Sequence, residues 1–176
     1  FYQAACDAYI KWLYVILQFD GIICISQSVM HELKSWLQTN AIKNYPRKIH
    51  WFHLGADLEH YLPTTGRPYN AQKLLHLFKN NLMFLSVNTL EPRKGYMQLI
   101  AAFELLWQQG FAVILVIVGK KGWLADHIVE KIKKHHELNK RLFWMQKVSD
   151  EYLTDVYKVA TCFIAGSEGE GFGLPL

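Results

Sequence analysis

Short apolar runs alternate with longer amphipathic segments along the second half of the chain. The run AVILVIV at residues 112–118 is apolar throughout and rich in β-branched side chains, which is typical of a strand covered on both faces in a parallel sheet. The predicted strands cover residues 82–87, 112–118, 142–145 and 161–165, and the predicted helices cover residues 94–109, about 124–136 and a segment that Ser149 opens. Strands that alternate with helices predict βαβ units, and therefore an α/β fold with helices on both faces of a parallel sheet.

The first part of the chain shows a shorter version of the same pattern. It predicts a helix at residues 3–18, a strand at 21–26, a helix capped by Ser26 or Ser28, and a strand at 48–63 that is broken at Gly55. Residues 63–70 then concentrate Pro, Gly, Thr and Asn, which is typical of a connection between domains. The predicted organisation is therefore a first domain at residues 1–62, a linker at 63–80 and a second domain at 81–176.

Composition indicates a folded protein of a reducing compartment. The chain has 176 residues, 51% of them hydrophobic, so it can bury a sizeable core. Its three cysteines lie far apart without CxxC spacing, which favours the cytoplasm over a disulfide framework. The apolar stretch at residues 9–26 is interrupted by Lys11 and Asp20, so we expect a buried helix and a strand rather than a membrane span.

The net charge of +4 is mild, and the most basic stretch is residues 131–141. This stretch lacks the interleaved aromatic side chains that stack on bases, so no nucleic-acid partner is expected. We interpret it as a solvated helix face, with attraction to an anionic membrane surface as the alternative. His135 and His136 are interpreted as solvated residues without carboxylate partners rather than metal ligands, and His53 and His60 are given structural roles.

The candidate chemistry follows the strands, because ligands of open parallel sheets bind beyond the carboxyl ends of the strands. In SEGEGFGLPL, residues 167–176, the glycines allow the main chain to approach a ligand, and Leu174 and Pro175 suit a helix start whose N–H groups could hold a phosphate. Glu168 and Glu170 are suited to accept hydrogen bonds from hydroxyl groups. On chemistry alone, a plain turn with solvated glutamates explains this loop equally well.

A second candidate site follows the strand at 82–87. Arg93 and Lys94 place two cations at its carboxyl end, where a guanidinium fork and a point charge could hold a diphosphate. Taken without other features, such a pair is more often a solvated helix start. Together with the glycine-rich loop, the pair favours a ligand that carries both phosphates and hydroxyl groups, such as a nucleotide sugar.

Four motifs in this order resemble a known family: EPRKG, VIVGKKGW, VSDEYLTDVY and SEGEGFGLPL. They are similar to the carboxyl-terminal, donor-binding domain of family 4 glycosyltransferases, retaining enzymes with the GT-B fold of two Rossmann-like domains. The upstream segments ICISQSVMHEL and IHWFHLGADLEHYLP resemble the end of the acceptor-side domain and the crossing into the donor domain. The resemblance implies that the chain is an internal fragment, truncated in its donor domain.

The resemblance also assigns residues. Glu170 would accept hydrogen bonds from the hydroxyls of the donor sugar, and a partner glutamate would fall at position 178, beyond Leu176. Lys94 would bind the diphosphate, and Arg93 would supply the charge that many members carry where this chain has Thr89. The remaining predicted donor-binding residues are Gly119, Lys147, Val148, Glu168, Gly171, Phe172, Gly173 and Leu174.

The sequence therefore predicts a retaining glycosyltransferase that needs no metal and no cofactor beyond its donor. The donor would be a GDP- or UDP-linked sugar, with mannose favoured, and the acceptor a glycan or a lipid-linked molecule. The expected location is the cytoplasm, with peripheral association at the inner membrane face as an alternative. A non-catalytic nucleotide-sugar-binding module is the alternative function, and the isolated 176-residue chain is expected to be inactive.

Overall fold

A computed structural model describes residues 2–53, 55 and 66–170, and these divide into two compact units. The described part of the first unit ends at residue 55, and that of the second covers residues 66–170. The first unit contains α1 (Tyr2–Ile16), β1 (Gly21–Cys24), α2 (Gln27–Thr39) and β2 (Lys48–Trp51). Strands β1 and β2 pair in parallel, and Leu37 and Ile49 lie in the small core that the helices and strands enclose.

The helix α2 begins at one of the two predicted caps. Ser26 is its N-cap, and the Ser26 hydroxyl accepts a hydrogen bond from the Val29 N–H at 3.2 Å. This bond satisfies one of the N–H groups that a helix start leaves without an intrahelical partner.

The second unit is built on a four-stranded parallel sheet in the order β5-β4-β3-β6. Its elements are α3 (Ala71–Lys79), β3 (Leu82–Val87), a 3-10 turn (Pro92–Lys94), α4 (Tyr96–Gln108), β4 (Val113–Val118), α5 (Asp126–Lys133), β5 (Leu142–Met145), α6 (Asp150–Val159) and β6 (Cys162–Phe163). All six residues of β4 are buried. Leu115 and Ile117 contribute to one hydrophobic core, whereas Ile114 and Val116 contribute to a second core. Because successive side chains of a strand point to opposite faces, helices cover both faces of this sheet, which confirms the predicted fold class.

The segment predicted as a linker, residues 63–80, contains a helix instead of an extended connection at its end. In α3, Ala71 and Phe78 are buried in the second core, and the Phe78 ring meets Phe143 edge-on at 5.2 Å. Because of the Pro and Gly residues before Ala71, the predicted linker extends over residues that form α3. The apolar residues of α3 recur at helical spacing, and this signal places residues 71–79 in the second unit.

The basic stretch at residues 131–141 also differs from its prediction, since α5 ends at Lys133 and the rest forms turns. The side chain of His135 is only 4% exposed, and its Nε2 atom lies 3.1 Å from Glu104 Oε1. His136 lies 3.4 Å from Glu137 Oε1. The interpretation of these histidines as solvated residues without carboxylate partners is therefore wrong for His135, and His136 is exposed but has a partner.

Among the described helices, none combines the length and the apolar character that a membrane span requires.

Candidate functional site

The sheet order brings the two predicted site loops together. Strands β3 and β6 are neighbours and run in parallel, so residues 88–95 and 164–170 leave the sheet at the same edge. At this edge Lys94 Nζ forms an ion pair with Glu170 Oε1. The Lys94 side chain is 6% exposed and the Glu170 side chain 28% exposed, so the pair has one buried partner and one partner that solvent reaches.

Backbone contacts hold the two loops in place. Lys94 ends the 3-10 turn, and Gly95 follows it in the left-handed conformation, with φ of 69°. A Cβ atom at Gly95 would lie 2.2 Å from the carbonyl oxygen of Gly166, so only glycine fits at this crossing. The N–H of Glu168 donates to the carbonyl of Arg93 at 2.9 Å. The position of Lys94 against Glu170 is thus fixed by main chain as well as by charge.

Glu170 is held as a carboxylate. Partial burial raises its pKa, but the hydrogen bonds from Lys94 and from the Ser167 hydroxyl, at 2.7 Å, lower the pKa overall below its ordinary value. Both bonds end on Oε1. In the part of the chain that the structure describes, Oε2 makes no hydrogen bond, so this oxygen can accept one from a ligand.

Arg93 lies beside Lys94 in sequence but in a different environment. Its side chain is 49% exposed, its Nε atom donates to Glu91 Oε2 at 3.1 Å, and its guanidinium also reaches the carbonyl of Gly169 at 3.4 Å. The structure therefore brings both predicted cations to the edge of β3 and β6, one buried and one at the surface.

Gly119 and Thr89 belong to a tight junction between the loops after β3 and β4. A Cβ atom at Gly119 would lie 1.9 Å from the carbonyl oxygen of Asn88, and one at Gly122 would lie 2.7 Å from Thr89 Cγ2. Close packing of the two loops is therefore enough to require glycine at both positions. The Tyr96 hydroxyl donates to Asn88 O at 2.9 Å on the same junction, and burial raises the pKa of Tyr96 to about 12.

The other predicted residues are not all placed near this pair. Lys147, with a left-handed φ of 53°, and Val148 follow β5, which β4 separates from β3. Val148 packs against the second core, and the side chain of Glu168 is exposed. Residues Gly171, Phe172, Gly173 and Leu174 lie outside the described residues, so their predicted roles stay predictions.

Sequence reasoning missed Ser167, Gly95 and Tyr96, which orient the site without being charged. Ser167 lies three residues before Glu170, and this spacing is the signal that could have indicated their hydrogen bond. Among the described residues, no three His, Cys, Asp or Glu side chains form a group suited to a metal ion. Metal independence stays a prediction.

Comparison with known proteins identifies the class. Residues 70–176 match the model of the family described as glycosyl transferases group 1. The match covers well over half of the chain, and the chain belongs to this family. Among named relatives, it is 46% identical over 169 residues to the serotype-specific mannosyltransferase WbdA of Escherichia coli, covering 94% of this chain and 21% of that protein.

A second relative and a solved structure extend this comparison. The O-antigen chain mannosyltransferase B of Escherichia coli is 31% identical over 93 residues, covering 52% of this chain and 24% of that protein. The chain thus spans less than a quarter of the length of either relative. The crystal structure of TarM superposes with a TM-score of 0.62 at 15% identity, covering 96% of this chain and 29% of that one. This likeness supports the fold alone, in agreement with the GT-B class that the motifs predicted.

Proposed function

We propose that the chain supplies the donor-binding part of a retaining mannosyltransferase that transfers mannose from a nucleoside diphosphate sugar to a glycan or lipid-linked acceptor. The contact between Lys94 and Glu170 at the carboxyl ends of β3 and β6 carries this proposal. It joins a buried cation to a carboxylate at the sheet edge where ligands of this fold class bind. Family membership and the mannosyltransferases among its relatives support the choice of reaction and sugar.

Lys94 would act on the leaving group. Cleavage of the bond between sugar and diphosphate leaves additional negative charge on the diphosphate, and a cation already positioned there stabilises the transition state. Because the Lys94 side chain is largely buried, its charge is screened less than that of a surface lysine. Arg93, at the exposed rim, would add a second cation with a planar donor fork.

Glu170 would orient the donor sugar. Its ionised carboxylate only accepts hydrogen bonds, which suits the hydroxyl groups of a hexose. Ser167 and Lys94 hold Oε1, so Oε2 faces no competing donor among the described residues. In this family 4 type of mechanism no metal is required, because Lys94 and Arg93 would take the electrostatic role that a metal plays elsewhere.

The experiment has two parts. Titration calorimetry of the chain with GDP, UDP and ADP should show saturable binding of one of them, and binding of none would contradict a donor site. The full-length protein should then transfer mannose from the corresponding donor with the anomeric configuration retained by NMR, also in the presence of EDTA. Inversion of configuration would exclude the retaining mechanism, and loss of transfer in EDTA would exclude metal independence.

We also propose that the 176-residue chain alone does not transfer mannose. Holding donor and acceptor together removes several kcal/mol, roughly, from the barrier of a bimolecular step, and the chain spans only 21% of WbdA. A coupled assay of nucleoside diphosphate release with the purified chain should stay at background. Turnover near the rate of the full-length protein would contradict this.

A further inference from the structure

A basic cleft in the first unit lies outside the site described above. We call it the α2 cleft, and it has a volume of about 320 Å³. It is lined by Lys34, Gln38, Lys43, Tyr45, Arg47 and Ile49. Every polar side chain in this lining can donate hydrogen bonds, three of them are cations, and no carboxylate is among them.

The local fold of the first unit forms this cleft. Lys34 and Gln38 are four residues apart in α2 and therefore share one face of the helix. After the helix, Ala41 adopts a left-handed φ of 52°, and the Ile42 N–H donates to Leu37 O at 3.0 Å. This turn brings residues 43–47 back beside α2, and the buried Ile49 of β2 also lines the cleft.

The charges of the cleft are not neutralised within the described residues. Neither Lys34, Lys43 nor Arg47 forms an ion pair there, whereas most charged residues around the sheet edge and α5 do. Three like charges around one cleft repel each other, and an anion between them removes this repulsion. An arginine fork with two lysine point charges is the donor set that proteins use for phosphate groups.

We propose that the α2 cleft binds a phosphate-bearing ligand, as a second anion site separate from Lys94. Two sources share this chemistry, a soluble phosphate compound and the headgroup of an anionic lipid. The proposal does not depend on the transferase function, because none of its residues belongs to the second unit.

The first test is an NMR titration of the chain with inorganic pyrophosphate. We expect amide shifts at residues 34–38 and 43–47, and single variants Lys34→Ala, Lys43→Ala and Arg47→Ala should weaken binding about two- to fivefold each, the range of an exposed ion pair. The affinity of the triple variant for pyrophosphate should fall at least about eightfold if the effects add. Lys43→Arg should keep the affinity, which separates lost charge from a damaged fold.

Two control variants locate the effect. Lys94→Ala should leave the shifts at residues 34–38 and 43–47 unchanged, since it removes the other candidate anion site. Lys73 is an exposed residue of α3, and Lys73→Ala should leave the shifts at residues 34–38 and at residues 43–47 unchanged.

The second test is sedimentation with vesicles of phosphatidylcholine, with and without phosphatidylglycerol. Pyrophosphate binding that the triple variant loses supports the proposal with a soluble ligand. Binding to phosphatidylglycerol vesicles alone, also lost in the triple variant, supports it with a lipid headgroup. If neither ligand binds, or if the triple variant binds both as well as the parent chain does, the proposal is wrong.

Discussion

Among the paired charges that the structure describes in the second unit, those at the edge of β3 and β6 differ from those beside α4 and α5. The difference lies in how many oxygens of the central carboxylate, Glu170 or Glu137, already accept a hydrogen bond. At the edge, the bonds to Glu170 converge on Oε1. Beside the helices, Arg141 donates to both oxygens of Glu137, at 2.8 and 2.7 Å, and Glu137 is only 10% exposed. Both oxygens of Glu137 are therefore occupied, whereas Glu170 keeps one oxygen for a ligand.

The helical group is held in place by packing as well as by charge. The Glu137 N–H donates to His135 Nδ1 at 3.1 Å, and Nε2 of the same ring lies 3.1 Å from Glu104 Oε1. The Arg141 guanidinium lies over the Trp107 ring, 5.4 Å from its centre. These contacts fix the turn after α5 against α4. We infer that this group stabilises the fold, whereas the edge pair is available for binding.

The largest effect should come from the backbone crossing at the edge. Gly95→Ala should destabilise the second unit, because the new Cβ meets Gly166 O at 2.2 Å. We expect the free energy of unfolding to fall by about 1–3 kcal/mol for overpacking. The left-handed backbone should lower it by about 1–2 kcal/mol more. Urea denaturation followed at the amide signals of β4 measures this loss.

Gly110→Ala is the matched control for Gly95. Gly110 also has a positive φ, 87°, but a Cβ there meets nothing within 4 Å. Gly110→Ala should lower the free energy of unfolding only by the backbone contribution, about 1–2 kcal/mol. Equal losses at the two positions would show that the contact with Gly166 does not constrain the site.

A smaller effect should separate the two charge groups by function. Lys94→Ala should weaken the binding of the nucleoside diphosphate by about 1–3 kcal/mol, the scale for a hydrogen bond to a charged group. Lys131→Ala, which breaks the pair with Glu104 at 2.8 Å, should leave this affinity unchanged. Titration calorimetry measures both, and unchanged affinity in Lys94→Ala would remove Lys94 from the site.

The contrast also shows how far the sequence could predict the site. The order of apolar runs predicted the strands of the second unit, and the position of Lys94 and Glu170 after two of them predicted a shared edge. Whether those two strands are neighbours depends on the sheet order β5-β4-β3-β6, which strand position along the chain does not determine. The sequence therefore predicted that Lys94 and Glu170 lie at the same edge of the sheet, but only the structure shows that they pair directly.

The helical group shows what the residue pattern could not predict. Residues 131–141 look like a solvated basic face because their partners Glu104 and Trp107 are far away in sequence. Burial of His135 arises from tertiary packing after the chain turns at the end of α5. Likewise α3 was assigned to the linker because turn-forming residues precede it, although its own apolar residues recur at helical spacing. Long-range contacts, rather than local propensity, account for these errors.

The smallest predicted effect concerns acid stability of the helical group. Hydrogen bonds from Lys131 lower the pKa of Glu104, and those from Arg141 lower the pKa of Glu137, from an ordinary value of 4.5. Because these pKa values are lower in the folded state, the stability they contribute is present above pH 4.5 and is lost as the pH falls through the folded values. The pairs are partly exposed, so we expect a loss of about 1 kcal/mol.

Urea denaturation at the amides of β4 between neutral and acid pH measures this dependence. The double variant Glu104→Gln and Glu137→Gln should flatten it, while Glu130→Gln, in an exposed pair with Lys134, should not. Glu170→Gln should also reduce the acid slope, since its pKa is lowered too, but it should weaken nucleoside diphosphate sugar binding as well. If the double variant weakened sugar-donor binding as much as Glu170→Gln does, the two charge groups would not differ in function.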